Sequence, residues 1–260
     1  MPRGVSRFDE AMLQGRLWTP DLVQPVFWYD ASDLSTIETV SGGVSAWRDK
    51  GPNRIHLAQT DSARRPTLTI TEGMQSVVYD GSNDQMQGTS IAAMFNQPQT
   101  YLYLVSSTSF ATAYNTLFDS WTSSLRGVAH FIKSNGRSAA YIGDQSYDGT
   151  GAATYAVNEV FLYACTHGSG IFTSWKNGVV DRSGTNTPSQ SSLAGNPFYL
   201  GAGPVFSRWT PWTIREAICV ASSVNYDRQR LEGAMLWKRG LQALLPASHP
   251  YANRPPLIGD

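Results

Sequence analysis

Short apolar runs separated by turn-forming residues pattern most of this chain. Phe27, Trp28 and Tyr29 open the series as an aromatic strand, and Asp30-Ala31-Ser32-Asp33 turns the chain. Gly42-Gly43 makes a second turn. Val44, Ala46 and Trp47 form a short strand ending at Arg48-Asp49, and Gly51-Pro52-Asn53 breaks the pattern before Ile55 and Leu57. Val77-Val78-Tyr79 stops at Asp80-Gly81. Residues 100–106 are apolar on both faces, as the centre of a sandwich requires. Further strands are predicted at 117–118, 128–132, 159–166, 198–200 and 214–221, with weaker ones at 139–142 and 154–157. Residues 171–180 read as a hairpin, because Asn177-Gly178 supplies the positive φ angles of a type I′ turn. Strands of this length between such turns predict an antiparallel sandwich over 25–222, with Trp47, Tyr79, Leu102, Phe161 and Trp175 in its core or cover.

The period changes at both ends. Leu231, Ala234, Met235 and the stem of Lys238 follow helical spacing within 225–239, with Ser223 or Asn225 to cap the start and Gly240 to end it. A proline-rich tail follows, so 223–260 is read as helix plus extended tail. Residues 1–24 read as an arm. Ser6-Arg7-Phe8-Asp9 fits a capping box, with Phe8, Met12 and Leu13 at helical spacing. Leu17 and Trp18 lie beyond that short helix, ahead of Pro20, and need a surface. Either the domain itself or a partner subunit can provide one, and they are the candidate assembly residues.

Charge narrows the choice of partner. Lys plus Arg is 20 and Asp plus Glu is 20, so no net positive field exists to hold a phosphate backbone, and nucleic acid is not expected. No apolar run is long enough to cross a bilayer, and the first fifteen or so residues lack the continuous apolar core of a signal peptide. Synthesis in a cytoplasm is the expectation. Cys165 and Cys219 each sit in an apolar strand and read as buried, reduced thiols.

The blocks WYDASDLSTI, AWRDKGPNRIHL, RRPTL and VVYDGSNDQM resemble laminin-G-like, concanavalin-A-like jelly-roll modules of bacterial surface proteins and of phage and prophage virion proteins. SWKNGVV matches that family's central hairpin. NYDRQRLEGAMLWKRGLQALLPASHPY resembles its closing helix, with Lys-Arg-Gly where the family has Trp-Gly, and FDEAMLQGRLWTP resembles the lead-in of the phage versions. The likeness spans roughly residues 7–251. It implies an all-β, two-sheet antiparallel jelly roll with an N-terminal arm and a C-terminal helix. It also implies a non-enzymatic virion protein made in the host cytoplasm, in a tail fibre, a baseplate or a capsid decoration. Other virion proteins, further copies of the chain and host surface glycans are the partners such a protein would have. Two alternatives stay open: a polysaccharide-degrading glycoside hydrolase, and a soluble carbohydrate-binding module.

Candidate chemistry is sparse. Asp80, Asn83 and Asp84 bring three side-chain oxygens together in one turn, the kind of cluster calcium takes, although any tight turn uses the same residues. No other cofactor is expected. His56, His130, His167 and His249 are scattered singly, without the spacings of a zinc site. A glycosidase needs two carboxylates across one bond. No strand carries acidic residues at alternate positions, and Glu216 beside Arg215 reads as a solvated pair, so no catalytic residue is assigned. Trp121, Tyr147, Trp209 and Trp212 fall in polar loop candidates and are the candidate glycan-stacking residues, with packing or a protein interface as the competing use of such rings.

Overall fold

A computed structural model describes residues 17–96, 98–122, 127–147, 151–168, 170–185 and 193–260. The strands are, in order, β1 (Phe27–Asp30), β2 (Ile37–Val40), β3 (Gly43–Trp47), β4 (Leu57–Ala58), β5 (Thr67–Thr71), β6 (Met74–Val78), β7 (Met86–Thr89), β8 (Gln99–Ser107), β9 (Tyr114–Asp119) and β10 (Val128–Lys133). They continue with β11 (Ser138–Ile142), β12 (Gln145–Tyr147), β13 (Phe161–Gly168), β14 (Ile171–Lys176), β15 (Val179–Thr185), β16 (Pro197–Leu200), β17 (Ala202–Gly203), β18 (Arg208–Trp209) and β19 (Trp212–Val220). The helix α1 (Asn225–Trp237) follows.

All pairings are antiparallel and build two layers. The front sheet runs β15-β14-β13-β8-β19-β1, with β6 and β5 continuing past the start of β19. The back sheet runs β2-β3-β4-β7-β16-β9-β10-β11-β12. This is the expected two-sheet jelly-roll sandwich. Its interior is aromatic: Phe27, Tyr29, Tyr101 and Tyr103 of the front sheet meet Trp47, Phe118 and Phe198 of the back sheet. Trp47, Tyr79, Leu102 and Phe161 are buried as expected, and Trp175 is half-buried under the Arg228 guanidinium, 4.2 Å from its ring. Both cysteines are free and buried. Asn177 (φ 53) and Gly178 (φ 79) turn the β14–β15 hairpin. Residues 154–157 are loop, because the chain bends there to place Tyr155 against Phe161 at 4.8 Å.

The front sheet has a second apolar face, and α1 and the tail cover it. Leu102, Leu104, Leu162, Ile218 and Val220 pack there against Leu231, Met235 and Leu236 of α1 and Leu245 and Tyr251 of the tail. The cap of α1 differs from expectation: Val224 stands at the N-cap, and the Ser222 hydroxyl accepts from Val224 N and donates to Asp227. The stop is as expected, with Leu241 N–H returning to the Leu236 carbonyl at 2.9 Å beside Gly240.

The arm closes on its own domain. Trp18 is buried in the same front cluster, its N–H bonds the Pro256 carbonyl at 3.0 Å, and Leu17 bridges to Leu257. The assembly reading of Leu17 and Trp18 is corrected accordingly: the tail, placed alongside by the fold, supplies the surface they need. The helix expected around Phe8 lies outside the described residues. No helix among the described residues is long and apolar enough to cross a membrane.

Candidate functional site

The outer face of the back sheet packs at β9 against the β17–β18 ribbon, whereas α1 lies on the front sheet. Strand alternation turns Tyr114 of β9, Ala129 and Phe131 of β10, and Ala139 and Tyr141 of β11 outward. Trp121, just past β9, closes the group. Phe131 is the buried floor, and Tyr114, Trp121 and Tyr141 are half-buried around it. The rings lock edge to face: Trp121 to Tyr141 at 5.1 Å, Phe131 to Tyr141 at 5.6 Å and Tyr114 to Phe131 at 5.3 Å. The Tyr114 and Tyr141 hydroxyls lie 2.9 Å apart. Arg208 of β18 lies 4.7 Å over Tyr114, and Lys133 lies 5.1 Å over the same ring, giving the platform a positive rim.

Asp119 sits at the edge of this platform. Its Oδ1 accepts the Trp121 N–H at 2.8 Å, while its Oδ2 is buried and has no hydrogen-bond partner, as does the neighbouring Thr116 hydroxyl. Both lie under Gly203, where a Cβ would meet Oδ2 at 2.8 Å, so only glycine lets the β17–β18 ribbon close over them. Burial pushes the Asp119 carboxyl up to about 7, against the Trp121 N–H and the Arg208 charge.

The other stacking candidates separate. Trp209 is half-buried on β18, beside Arg208. Tyr147 and Trp212 are corrected. Tyr147 is buried, stacked on Phe172 at 4.5 Å with its hydroxyl on the Thr185 carbonyl. Trp212 is fully buried in β19, its indole N–H on the Thr116 carbonyl at 2.7 Å. Neither offers a face to a sugar. The loop reading failed because flanking prolines and threonines hid the strand beginning at Trp212.

The acidic turn also satisfies itself. Asp80 Oδ1 accepts from the backbone of Ser82, Asn83 and Asp84, and Asp84 Oδ2 accepts Asp80 N–H at 2.8 Å. Asp80 Oδ1 and Asp84 Oδ2 are thus engaged by N–H donors of their own loop, as in an Asx turn, which is the competing use of these residues.

Two groupings were missed in the sequence because they form across strands. Asp30 and Glu216 are register partners on β1 and β19. They are not solvated: Lys238 Nζ lies 2.9 Å from Asp30 and 3.0 Å from Glu216, Arg239 reaches both, and Trp28 donates its indole N–H to Glu216 at 2.7 Å. Burial works to raise the Asp30 carboxyl, but Lys238 and Arg239 prevail and hold it well below the usual range. The pair lines one side of a cleft of about 320 Å³ between arm, tail and α1, with Trp18, Trp28 and Trp237 on its walls. The second grouping is His130, Cys165 and His167, buried together in the core. The Cys-x-His alternation on β13 was its only local signal.

No family model and no curated protein matches the chain. Solved structures do. The chain is similar to the botulinum neurotoxin serotype D binding domain (TM-score 0.60, 12% identity, 82% of this chain and 52% of that one). It is similar to botulinum neurotoxin type C, whose cell entry is dependent upon interaction with two ganglioside molecules (TM-score 0.58, 12% identity, 82% and 51%). It is also similar to Trypanosoma rangeli sialidase (TM-score 0.54, 10% identity, 78% and 32%). The chain thus spans about a third of the sialidase and half of the toxin structures it matches. At these identities the likeness is one of fold. It corrects the non-enzymatic expectation, since glycoside hydrolases carry this sandwich as well. Acidic residues alternating along one strand are no guide to pairs such as Asp30 and Glu216, which meet only through strand pairing.

Proposed function

We propose that this chain is a glycan-binding sandwich module, working within or beside a larger protein that recognises or cleaves glycans. The observation that carries the reading is the half-buried aromatic platform of Tyr114, Trp121 and Tyr141, edged by Asp119. Aromatic faces stack on sugar rings, and rings already locked edge to face lose little freedom on binding. The positive rim of Arg208 and Lys133 suits a carboxylated sugar such as sialic acid. That choice is supported by neighbours that are sialidases and a ganglioside-dependent toxin. Calorimetric titration of sialylated and neutral oligosaccharides tests it. Saturable binding of the sialylated set, weakened about tenfold by Trp121→Ala in a folded protein, is the expected result. Absence of binding to both sets at millimolar concentration sinks the proposal.

A second reading, a glycoside hydrolase, is supported by the sialidase among the neighbours. Release of a fluorogenic aglycone from a sialoside would support it, and no release counts against it. Display on a virion is a separate proposal supported by the sequence resemblance alone. Detection of the chain in purified particles tests that setting, and its absence from them counts against it.

A further inference from the structure

We propose that His130, Cys165 and His167 form a transition-metal site in the core of the sandwich, taking zinc(II) or copper(I), ions that share a preference for thiolate with imidazole. His130 comes from β10 of the back sheet. Cys165 and His167 stand at alternate positions of β13 in the front sheet, so both point inward, and the three groups bridge the two layers. Their ligand atoms all lie within 4.8 Å of one another. His130 Nε2 is 3.3 Å from His167 Nε2 and 3.3 Å from Cys165 Sγ. Zinc–nitrogen bonds of about 2.0–2.1 Å and a zinc–sulfur bond of about 2.3 Å give tetrahedral edges of roughly 3.4 and 3.6 Å. The two edges that meet at His130 Nε2 therefore stand near metal spacing, and the third, from Cys165 Sγ to His167, lies within 4.8 Å and needs to close by up to about 1.2 Å.

The surroundings fit a ligand set better than a hydrogen-bonded core. The Tyr103 hydroxyl lies 2.8 Å from His130 Nδ1, the outer contact that orients a metal-bound imidazole and directs its Nε2 lone pair inward. With that tautomer and no metal, the single Nε2 lone pair of His130 must serve both the His167 N–H and the Cys165 thiol. With the opposite tautomer, one Nε2–H faces two acceptors. His167 Nδ1 is buried without a partner and keeps the ring proton when Nε2 takes the ion. An ion between the three atoms removes the crowding at His130 Nε2. The Tyr163 hydroxyl is buried beside the Cys165 thiol, within its hydrogen-bonding reach, and is the group at hand for a fourth position. Binding displaces the thiol proton to solvent and leaves thiolate on the cation, with no change of oxidation state.

Because the site is enclosed, the ion must enter as the chain folds, and its binding free energy then adds to that of folding. The test is refolding of the full chain with zinc(II), with copper(I) under reductant, with cobalt(II), or with chelator alone. The expected result is about one ion retained per chain, a higher melting temperature than with chelator, and a thiolate-to-cobalt charge-transfer band. Whether zinc or copper is retained identifies the ion. Cys165→Ser removes the band and the retained ion, Tyr103→Phe weakens affinity about 10- to 100-fold, and Cys219→Ser, a buried thiol outside the cluster, changes neither. If Cys165→Ser does not fold, the wild-type band and the Cys219→Ser control still decide. No retained ion, no band and equal melting with metal and chelator would mean hydrogen-bonded imidazoles and thiol only, and would overturn the proposal.

Discussion

The two outer faces of the sandwich are built from similar strands and meet opposite fates. Over the front sheet, α1, the tail and Trp18 cover the central strands, and β8 and β19 are buried along all nine of their residues. Over the back sheet the face keeps half-buried rings and an unsatisfied carboxylate oxygen. The front cover is fastened by charge, with Asp30 and Glu216 on the sheet holding Lys238 and Arg239 beyond the end of α1. The back face has Asp119 where the front has a neutralised pair. The front face has committed its central apolar surface to packing against α1 and the tail, and the back face keeps its rings half-buried among the described residues.

Breaking the front fastening tests the contrast most severely. Glu216→Ala leaves the Trp28 indole N–H, Lys238 and Arg239 facing a gap, and removing one partner of a buried pair costs about 3–5 kcal/mol. The urea midpoint measures the loss, and a loss below about 1 kcal/mol would show that the cover is not held by charge.

The faces also differ in the sign of their pH response. Asp30 is held below its ordinary value of 3.8, so its contribution is present above that value and lost as pH falls through its folded value. Asp119 is raised to about 7, so between 3.8 and 7 the folded chain holds a proton that the unfolded chain has released, and stability falls as pH rises. About three pH units correspond to a loss of up to about 4 kcal/mol. Asp119→Asn should flatten that slope in denaturant titrations across the window. An unchanged slope would mean that burial does not hold the proton on Asp119.

A smaller effect concerns the arm. Trp18→Ala should cost about 3 kcal/mol, the low end for truncating a large buried aromatic. Sedimentation should show no change of mass, because the surface it leaves belongs to its own chain. Dissociation of an oligomer on this substitution would restore the anchoring role to Leu17 and Trp18.

The front sheet was legible in the sequence for the reason it is stable. Strands covered on both sides read as unbroken apolar runs, as at 100–106 and 159–166, whereas β7 alternates buried and exposed. The Asn177-Gly178 turn and the α1 spacing were legible because their chemistry is local. What could not be read depends on which strands become neighbours. Asp30 and Glu216 are far apart in sequence and adjacent in space, and His130 reaches Cys165 and His167 from the opposite sheet. The glycan candidates divide for the same reason: Trp121 and Trp212 both follow polar stretches, and only the course of β9 and β19 leaves one on the outer face and the other in the core.

The smallest expected effect on stability sharpens the comparison most. Trp121 touches Tyr141 at 5.1 Å but is only half-buried, so Trp121→Ala forfeits part of one aromatic pair and should cost about 1 kcal/mol. Glycan affinity should fall about tenfold in the same protein, because the C–H face of the sugar loses the aromatic face it packs against. Conservative Trp121→Phe should restore most of it. Leu104→Ala on the front face supplies the control: it empties a fully buried site, should cost about 2–5 kcal/mol of stability, and should leave glycan affinity unchanged while the chain is folded. Parallel losses of stability and affinity in the two variants would mean that the two faces form one cooperative unit and that the back platform has no separate role.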